Sequence, residues 1–271
     1  MIPAAFDYVR AGSVDEAIAL LAEHGEDAKL IAGGHSLLPM MKLRLAFPSV
    51  LIDIRQLPGT SYTRVEGDEI AIGALTRHCD LVSSEVLRAE APLLAAVAAQ
   101  VGDPQIRHRG TIGGSISHAD PSADLPCAVL ASDAKLVLQG PDGRREVAAT
   151  EFFLGYFDTA MNADELLVEL RIPRTGPGGW HYEKFTRRAN DWAIVAVATV
   201  AGRIGLANMG NRPLRAVAAE AALAAGGTVQ DAAAVAAEGT EPIEDMHANS
   251  EYRQHLVRVL TQRSLVAAAE R

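Results

Sequence analysis

Lys29 to Pro39 reads KLIAGGHSLLP, a short apolar run that stops abruptly at two glycines, a histidine and a serine. Gly33 and Gly34 lack Cβ, so the backbone there is free to take positive φ and to let a bulky ligand approach its amides. A turn of that kind aims several N–H groups at one point, which suits phosphate. Farther along, Thr111 to Ser115 reads TIGGS, a second Gly-Gly pair flanked by hydroxyls. Gly-Gly pairs are also common in ordinary hairpins and strand ends, so neither is specific alone. Two such turns can grip one pyrophosphate between them, which points to a nucleotide-containing cofactor.

The surrounding pattern reads as alternating helices and strands. Ser13 with Glu16 fits a capping box, and Ala17, Leu20 and Leu21 recur at helical spacing up to Gly25, so a helix is expected from Ser13 to His24. Ala28 to Ala32 is a strand leading into the first turn, and Met40 to Leu45 a short helical or irregular segment. VLIDI from Val50 and EIAIGA from Glu69 are strands, with RVEGDE as a polar link before the second. From His78 the chain turns helical through LVSSEVL and APLLAAVAAQV, and the loop GDPQIRHRG then delivers it to the second glycine turn. AKLVLQGPDGRREV is a hairpin about Pro141-Asp142-Gly143, and ELLVELRIP a strand ending at Pro173. RTGPGG from Arg174 is the clearest linker, and a domain boundary is expected there. Beyond it come the strands WHYEKF and AIVAVATVAGRIGLANMG. A C-terminal helix follows, with Tyr252, Leu256, Val259 and Leu260 on one face.

Composition narrows the function. The 271 residues carry a net charge of −9 and no Lys/Arg stripe, which disfavours nucleic acid as a partner. Apolar stretches such as the one from Ala193 are too short to span a bilayer, and the N-terminus lacks a basic region followed by an apolar one, so a cytosolic protein is expected. Cys79 and Cys127 are the only cysteines and form no CxxC, which argues against a disulfide framework, a four-cysteine zinc site or an iron–sulfur cluster held by this chain. No GxGxxG, GxxxxGK[ST] or GxSxG occurs, so the glycine turns do not belong to a Rossmann domain, a P-loop or a hydrolase elbow.

The most polar short cluster is HADPSAD, with His118, Asp120 and Asp124. Its spacing matches no metal motif, and acids beside a proline more often cap backbone amides. The alternative use is that Asp124 accepts from a ribosyl or ribityl hydroxyl. His35, beside the glycines, reads as a ligand contact ahead of the alternative, a turn residue that tolerates positive φ. Lys184, in HYEKF, reads as a solvated strand residue on pattern alone.

Taken together, AGGHSLLPMMKLRL, TIGGSISHADPSADLP, ELLVELRIP and YEKFTRRANDWAIV resemble the FAD-binding medium subunits of molybdenum-containing hydroxylases, nearest to those of aerobic carbon monoxide dehydrogenases. RIGLANMGNRPLRAVAAE resembles the C-terminal domain of the same group. The resemblance implies an α+β protein: a PCMH-like, type 2 FAD-binding fold of two α/β subdomains (1–57 and 58–175), then a domain of a small antiparallel sheet and helices (176–271). It implies that Ala32, Gly33, Gly34, His35, Ser36 and Leu37, with Thr111, Ile112, Gly113, Gly114 and Ser115, line FAD. Val101, Asp124, Leu167 and Lys184 complete that site. One departure stands out: where the pattern has an RRxGDY-like segment, this chain has Asn190-Asp191-Trp192, an indole without the phenol hydroxyl.

By resemblance the chain is an electron-transfer subunit with no catalytic side chain and no metal of its own. A small subunit with [2Fe–2S] clusters would feed it, a large subunit with a molybdenum-pterin cofactor would oxidise the substrate, and an external acceptor such as a quinone would take the electrons. The assembly implied is a dimer of heterotrimers in the cytoplasm, with a quinone acceptor allowing peripheral contact at the inner face of the membrane. A second class is a self-contained FAD oxidase whose GGH histidine, here His35, bonds covalently to the flavin. A third is a binding module in which the glycine turns are merely structural.

Overall fold

The computed structural model describes residues 2–271. The chain begins with a three-stranded parallel sheet in the order β1 (Asp7–Arg10), β3 (Val50–Asp53), β2 (Ala28–Ile31). Helix α1 (Val14–His24) lies between β1 and β2 in sequence and puts Ala17, Ile18 and Leu21 into a core with Val50 and Ile52. Ser13 caps it by accepting from the Glu16 amide, and Gly25 ends it at φ +54. The Glu16 carboxylate accepts from the Gly12 amide rather than from Ser13, so the capping box is not reciprocal. Helix α2 (Leu37–Lys42) starts directly after the first glycine corner, three residues earlier than expected at Met40, and buries Met41 against Leu51 on the other face of this sheet.

The second unit is an antiparallel five-stranded sheet in the order β4 (Thr63–Glu66), β5 (Glu69–Gly73), β10 (Leu166–Pro173), β6 (Lys135–Gly140), β7 (Gly143–Ala148). RVE of the expected polar link is strand β4 itself; its outward residues are polar because β4 is an edge. The long helical stretch from His78 is three helices, α3 (His78–Ser83), α4 (Glu85–Glu90) and α5 (Pro92–Gln100). Ser84 caps α4, accepting from the Leu87 amide, and Pro92 opens α5, where a missing N–H costs nothing. Short α6 (Pro104–Arg107) leads to α7 (Ile112–His118), and α8 (Asp124–Ala131) follows. Thus TIGGS is the first turn of a helix, not a loop. Beyond β7, α9 (Ala149–Phe152) runs into a small hairpin of β8 (Phe153–Gly155) and β9 (Asp158–Thr159).

The last unit is a four-stranded antiparallel sheet, β11 (Trp180–Phe185), β12 (Val195–Val200), β13 (Arg203–Ala207) and β14 (Leu214–Arg215), with helices α10 (Val217–Ala224), α11 (Val229–Ala234) and α12 (Ser250–Ala269). Both faces of β12 are buried. Ala196, Ala198 and Val200 join the core of the second unit, while Val195 and Val197 face a core with Leu256, Val257 and Leu260 of α12. That explains its uninterrupted apolar run. Helix α8 lies so close to the sheet that a Cβ on Gly205 would stand 2.1 Å from the Cys127 carbonyl oxygen. The RTGPGG segment is tied down, its Thr175 amide donating to the Glu90 carbonyl at 2.8 Å and Arg174 pairing with the Glu90 carboxylate at 2.9 Å. Among the described residues no helix is long and apolar enough to cross a membrane.

Candidate functional site

The two glycine corners meet. A Cβ on Gly33 would lie 2.3 Å from the Arg109 carbonyl oxygen and 2.9 Å from the Gly110 Cα, so the first corner is seated on the segment that enters the second. Across the junction, the position of a Gly114 Cβ lies 4.0 Å from that of Ala32. The reason for glycine differs from corner to corner. Only Gly34 has positive φ, at +76, whereas Gly33 and Gly113 are glycines because main chain passes where a side chain would begin. For Gly113 the obstacle is Ala74, whose carbonyl oxygen would be 2.6 Å from a Cβ; the Gly113 amide donates to that carbonyl at 2.8 Å.

Thr111 caps α7 by accepting from the Gly114 amide at 3.1 Å. The Arg77–Thr111 bridge and the His78 amide, which donates to the Gly110 carbonyl at 3.0 Å, clamp this corner to the start of α3. His35 and Ser36 are exposed at the junction, and the Ser36 hydroxyl makes no capping bond to α2. Gly114 is exposed and Ser115 half-exposed, while Ile112 and Gly113 are buried beneath them. The open surface of the junction is therefore backbone, the His35 imidazole and the Ser36 and Ser115 hydroxyls, with apolar support below.

A second cluster adjoins it. Asp124, only 7% exposed, accepts from Lys184 Nζ at 2.9 Å and from the Tyr182 hydroxyl. Lys184 also donates to the Gln100 carbonyl at 3.3 Å, next to Val101, and Arg107 donates to the Val101 carbonyl at 3.0 Å. Val101, Asp124 and Lys184 are thus brought together, and the α6 segment links them to the glycine corners. Burial pushes the Asp124 carboxyl above its ordinary value, opposed by the Lys184 charge and the hydrogen bonds from Tyr182 and Lys184. Tyr182 is raised well above its ordinary value, by burial first and by Asp124 second. Lys184 is not the solvated strand residue its pattern suggests; its side chain is 7% exposed. Leu167 stands apart, packed in the main core at 3% exposure, in line with Leu138 of β6.

Sequence pattern alone missed Tyr182 and His78. Tyr182 was within reach, because it precedes Lys184 by two positions on one strand and so shares its face. Asp120, in the cluster weighed for metal, accepts from the Ser122 amide and hydroxyl, a turn stabilised within itself. Among the described residues no group of His, Cys, Asp and Glu has the arrangement of a metal site.

Beside Ser122, two residues before Asp124, a groove of 390 Å³ opens between Arg187, Arg188, Trp192, Asn208 and Arg253. Trp192 is 64% exposed at its edge. The residue that replaces glycine in the RRxGDY-like segment, Asn190, keeps the left-handed conformation at φ +69, which asparagine tolerates better than other side chains.

Comparison with known proteins agrees with this architecture. Residues 4–175 match the family described as the FAD binding domain in molybdopterin dehydrogenase, and residues 180–268 the CO dehydrogenase flavoprotein C-terminal domain. The carbon monoxide dehydrogenase medium chain of Hydrogenophaga pseudoflava is 43% identical, over 99% of this chain and 98% of the relative. The 6-hydroxypseudooxynicotine dehydrogenase complex subunit alpha of Paenarthrobacter nicotinovorans is 38% identical, over 100% and 97%. A solved carbon monoxide dehydrogenase of Hydrogenophaga pseudoflava, lacking the Mo-pyranopterin moiety of its molybdenum cofactor, superposes with a TM-score of 0.96 at 46% identity, covering 100% of this chain and 99% of that one. With both of its parts matched and full-length relatives well above 30% identity, the chain belongs to the FAD-binding medium subunits of the molybdenum hydroxylases.

Proposed function

We propose that this chain is the FAD-carrying electron-transfer subunit of a carbon monoxide dehydrogenase-like complex. It takes electrons from [2Fe–2S] clusters of a small subunit, after substrate oxidation at the molybdenum-pterin centre of a large one, and passes them through FAD to an external acceptor such as a quinone. The observation that carries this reading is the seating of the first glycine corner on the approach to the second, far apart in sequence. Their joint surface offers the main chain of the first corner and the hydroxyls of Ser36 and Ser115, with the His35 imidazole beside them, a set that suits a diphosphate. FAD, when bound, supplies the redox chemistry, and the protein's part is to bind, orient and tune it.

Within that reading, residues 32–37 and 111–115 hold the diphosphate. Val101, Asp124 and Lys184 hold the segment that follows, and Trp192 offers an apolar wall at the mouth of the adjoining groove. The division at 175/176 is consistent with family matches that leave 176–179 uncovered. Carbon monoxide is the proposed substrate of the whole assembly, because the carbon monoxide dehydrogenase of Hydrogenophaga pseudoflava bears that name in both comparisons, and the assembly itself is proposed, from the family resemblance, to be a dimer of heterotrimers. The 38% relative, named for an oxidised nicotine derivative, marks the class of substrate that would replace it.

The test is made on the native complex. Copurified with its partners and given carbon monoxide and a dye acceptor, it should reduce the dye. Gly114→Val, at an exposed position where a Cβ meets only the Thr111 hydroxyl at 2.9 Å and Ala32 at 4.0 Å, should lower FAD content while the subunits stay assembled. Normal flavin content in that variant would sink the two-corner grip. Gly33→Val is a poor substitute, because its Cβ strikes main chain and the fold itself would suffer.

A further inference from the structure

His78 begins α3 and is 4% exposed, with its Nδ1 buried and without a hydrogen-bond partner. Its ring lies against Gly110: a Cβ there would stand 2.6 Å from Nε2 and 2.7 Å from Cδ2. Gly33 packs on the same residue, since a Cβ added to it would stand 2.9 Å from the Gly110 Cα. His78 therefore lies one backbone layer from the junction of the two corners. An unpartnered imidazole so deeply buried demands an explanation, since such groups are nearly always satisfied.

The charges bearing on His78 are His35 from the first corner and Arg107 from α6; both disfavour a proton on it. From its own helix, Asp80 is exposed and accepts from Cys79. Helix α5 carries no titratable side chain, and α7 only His118, which stacks on Phe157 at the far end. His108, after α6, is exposed and bonded to the Pro104 carbonyl. Arg77 and Arg109 are exposed, and the Asp103 carboxylate caps α6 by accepting from the Ile106 amide, so no carboxylate of the chain compensates this ring.

We propose that His78 is the proton-linked element of the FAD site: neutral while the junction is empty, it takes one proton from solvent when the flavin diphosphate binds. The inference rests on the reading of the corners as the diphosphate site. Burial first, with His35 and Arg107 adding to it, holds the imidazole down to about 4 before the diphosphate binds, and a nearby dianion acts in the opposite direction. His78 touches the corner rather than the cofactor, so it is a positioning residue, and proton uptake is the property that a merely structural ring would not show.

The experiment reloads FAD-depleted complex with FAD in a calorimeter at pH 6.5, in two buffers of different ionisation enthalpy, which counts the protons taken up. Wild type should take up a substantial fraction of one proton and bind FAD more tightly as pH falls from 8 to 6, by several-fold. His78→Gln should abolish both the uptake and the pH dependence; His78→Asn serves as a second variant should Gln disturb assembly. Zero proton uptake by wild type overturns the proposal without any variant, as does equal uptake by wild type and variant, which would move the proton to His35. Failure of wild type to bind FAD at all overturns the corner reading and this inference together, and is seen as the absence of any binding heat.

Discussion

Asp124 and Lys184 illustrate how far single residues were legible. Asp124 offered itself as a ligand acceptor from HADPSAD alone, Lys184 only through family resemblance, and the structure adds what neither contained: they are partners, joined at 2.9 Å under a Tyr182 hydroxyl. The acid was conspicuous in HADPSAD, whereas the lysine was invisible, because a strand lysine normally faces water. Both are buried, so removing one strands the other. Lys184→Met should cost about 3–5 kcal/mol at neutral pH, measured by denaturant unfolding, because an unpaired carboxylate would remain in the interior. The loss should shrink at acid pH, where Asp124 escapes by protonation, and Asp124→Asn combined with Lys184→Met should recover much of it. Additive losses in the double variant would show that the two do not act as a pair.

His78 gives the residue scale its pH dependence. Its folded value, about 4, lies below the ordinary 6.5. Between those values the unfolded chain binds more protons than the folded one, so stability rises with pH across the window and is lost as pH falls from 6.5 towards 4. The shift corresponds to roughly 3 kcal/mol. His118 is also held below its ordinary value by burial, so His78→Gln should still lose stability as pH falls, but about 3 kcal/mol less than flavin-free wild type across the window. An equal acid loss in both would place the sensitivity elsewhere.

At the scale of elements, α1 and α7 stand at opposite ends of legibility. Helix α1 announced itself through Ser13, an apolar stripe and Gly25, all local signals, and its ends fell where expected. Helix α7 was read as a turn because two glycines in IGGSISH work against helix, each costing up to about 1 kcal/mol relative to alanine. What overrides propensity is long-range: the Gly113 amide is pinned to the Ala74 carbonyl, Ile112 and Ile116 enter the main core, and Thr111 supplies the cap. None of these contacts can be inferred from neighbours in sequence. Thr111→Val keeps the shape and deletes the cap acceptor, so it should cost about 1 kcal/mol in thermal or denaturant unfolding and lower FAD retention. Thr111→Ser should restore both. If valine retains FAD normally, the order of this first helical turn is not what the cofactor needs.

For the molecule as a whole, the linker at Arg174 was read as punctuation between domains, yet its residues are bonded to Glu90 and the sheet after it completes the core of the sheet before it. Alanines along β12 and the missing side chain of Gly205 let α8 approach closely, while the opposite face of the same strand serves the core under α12. Sequence pattern gave this stretch as a strand, without showing that its two faces belong to different cores. A sheet so shared couples the stability of both halves: unfolding either one uncovers apolar surface of the other, at about 25 cal/mol for each Å² exposed. Denaturant unfolding of the whole chain should therefore be one transition, coincident by far-ultraviolet circular dichroism and by the fluorescence of Trp180, which packs against the first of these cores. Residues 1–175 expressed alone should expose the α5 and α8 faces that β11 and β12 cover, and should aggregate or bind a hydrophobic dye. Two resolved transitions, or a well-behaved monomeric fragment, would mean that the halves are independent and that the contacts proposed for Lys184 and Trp192 with FAD are brought to the glycine corners by the flavin rather than by the fold.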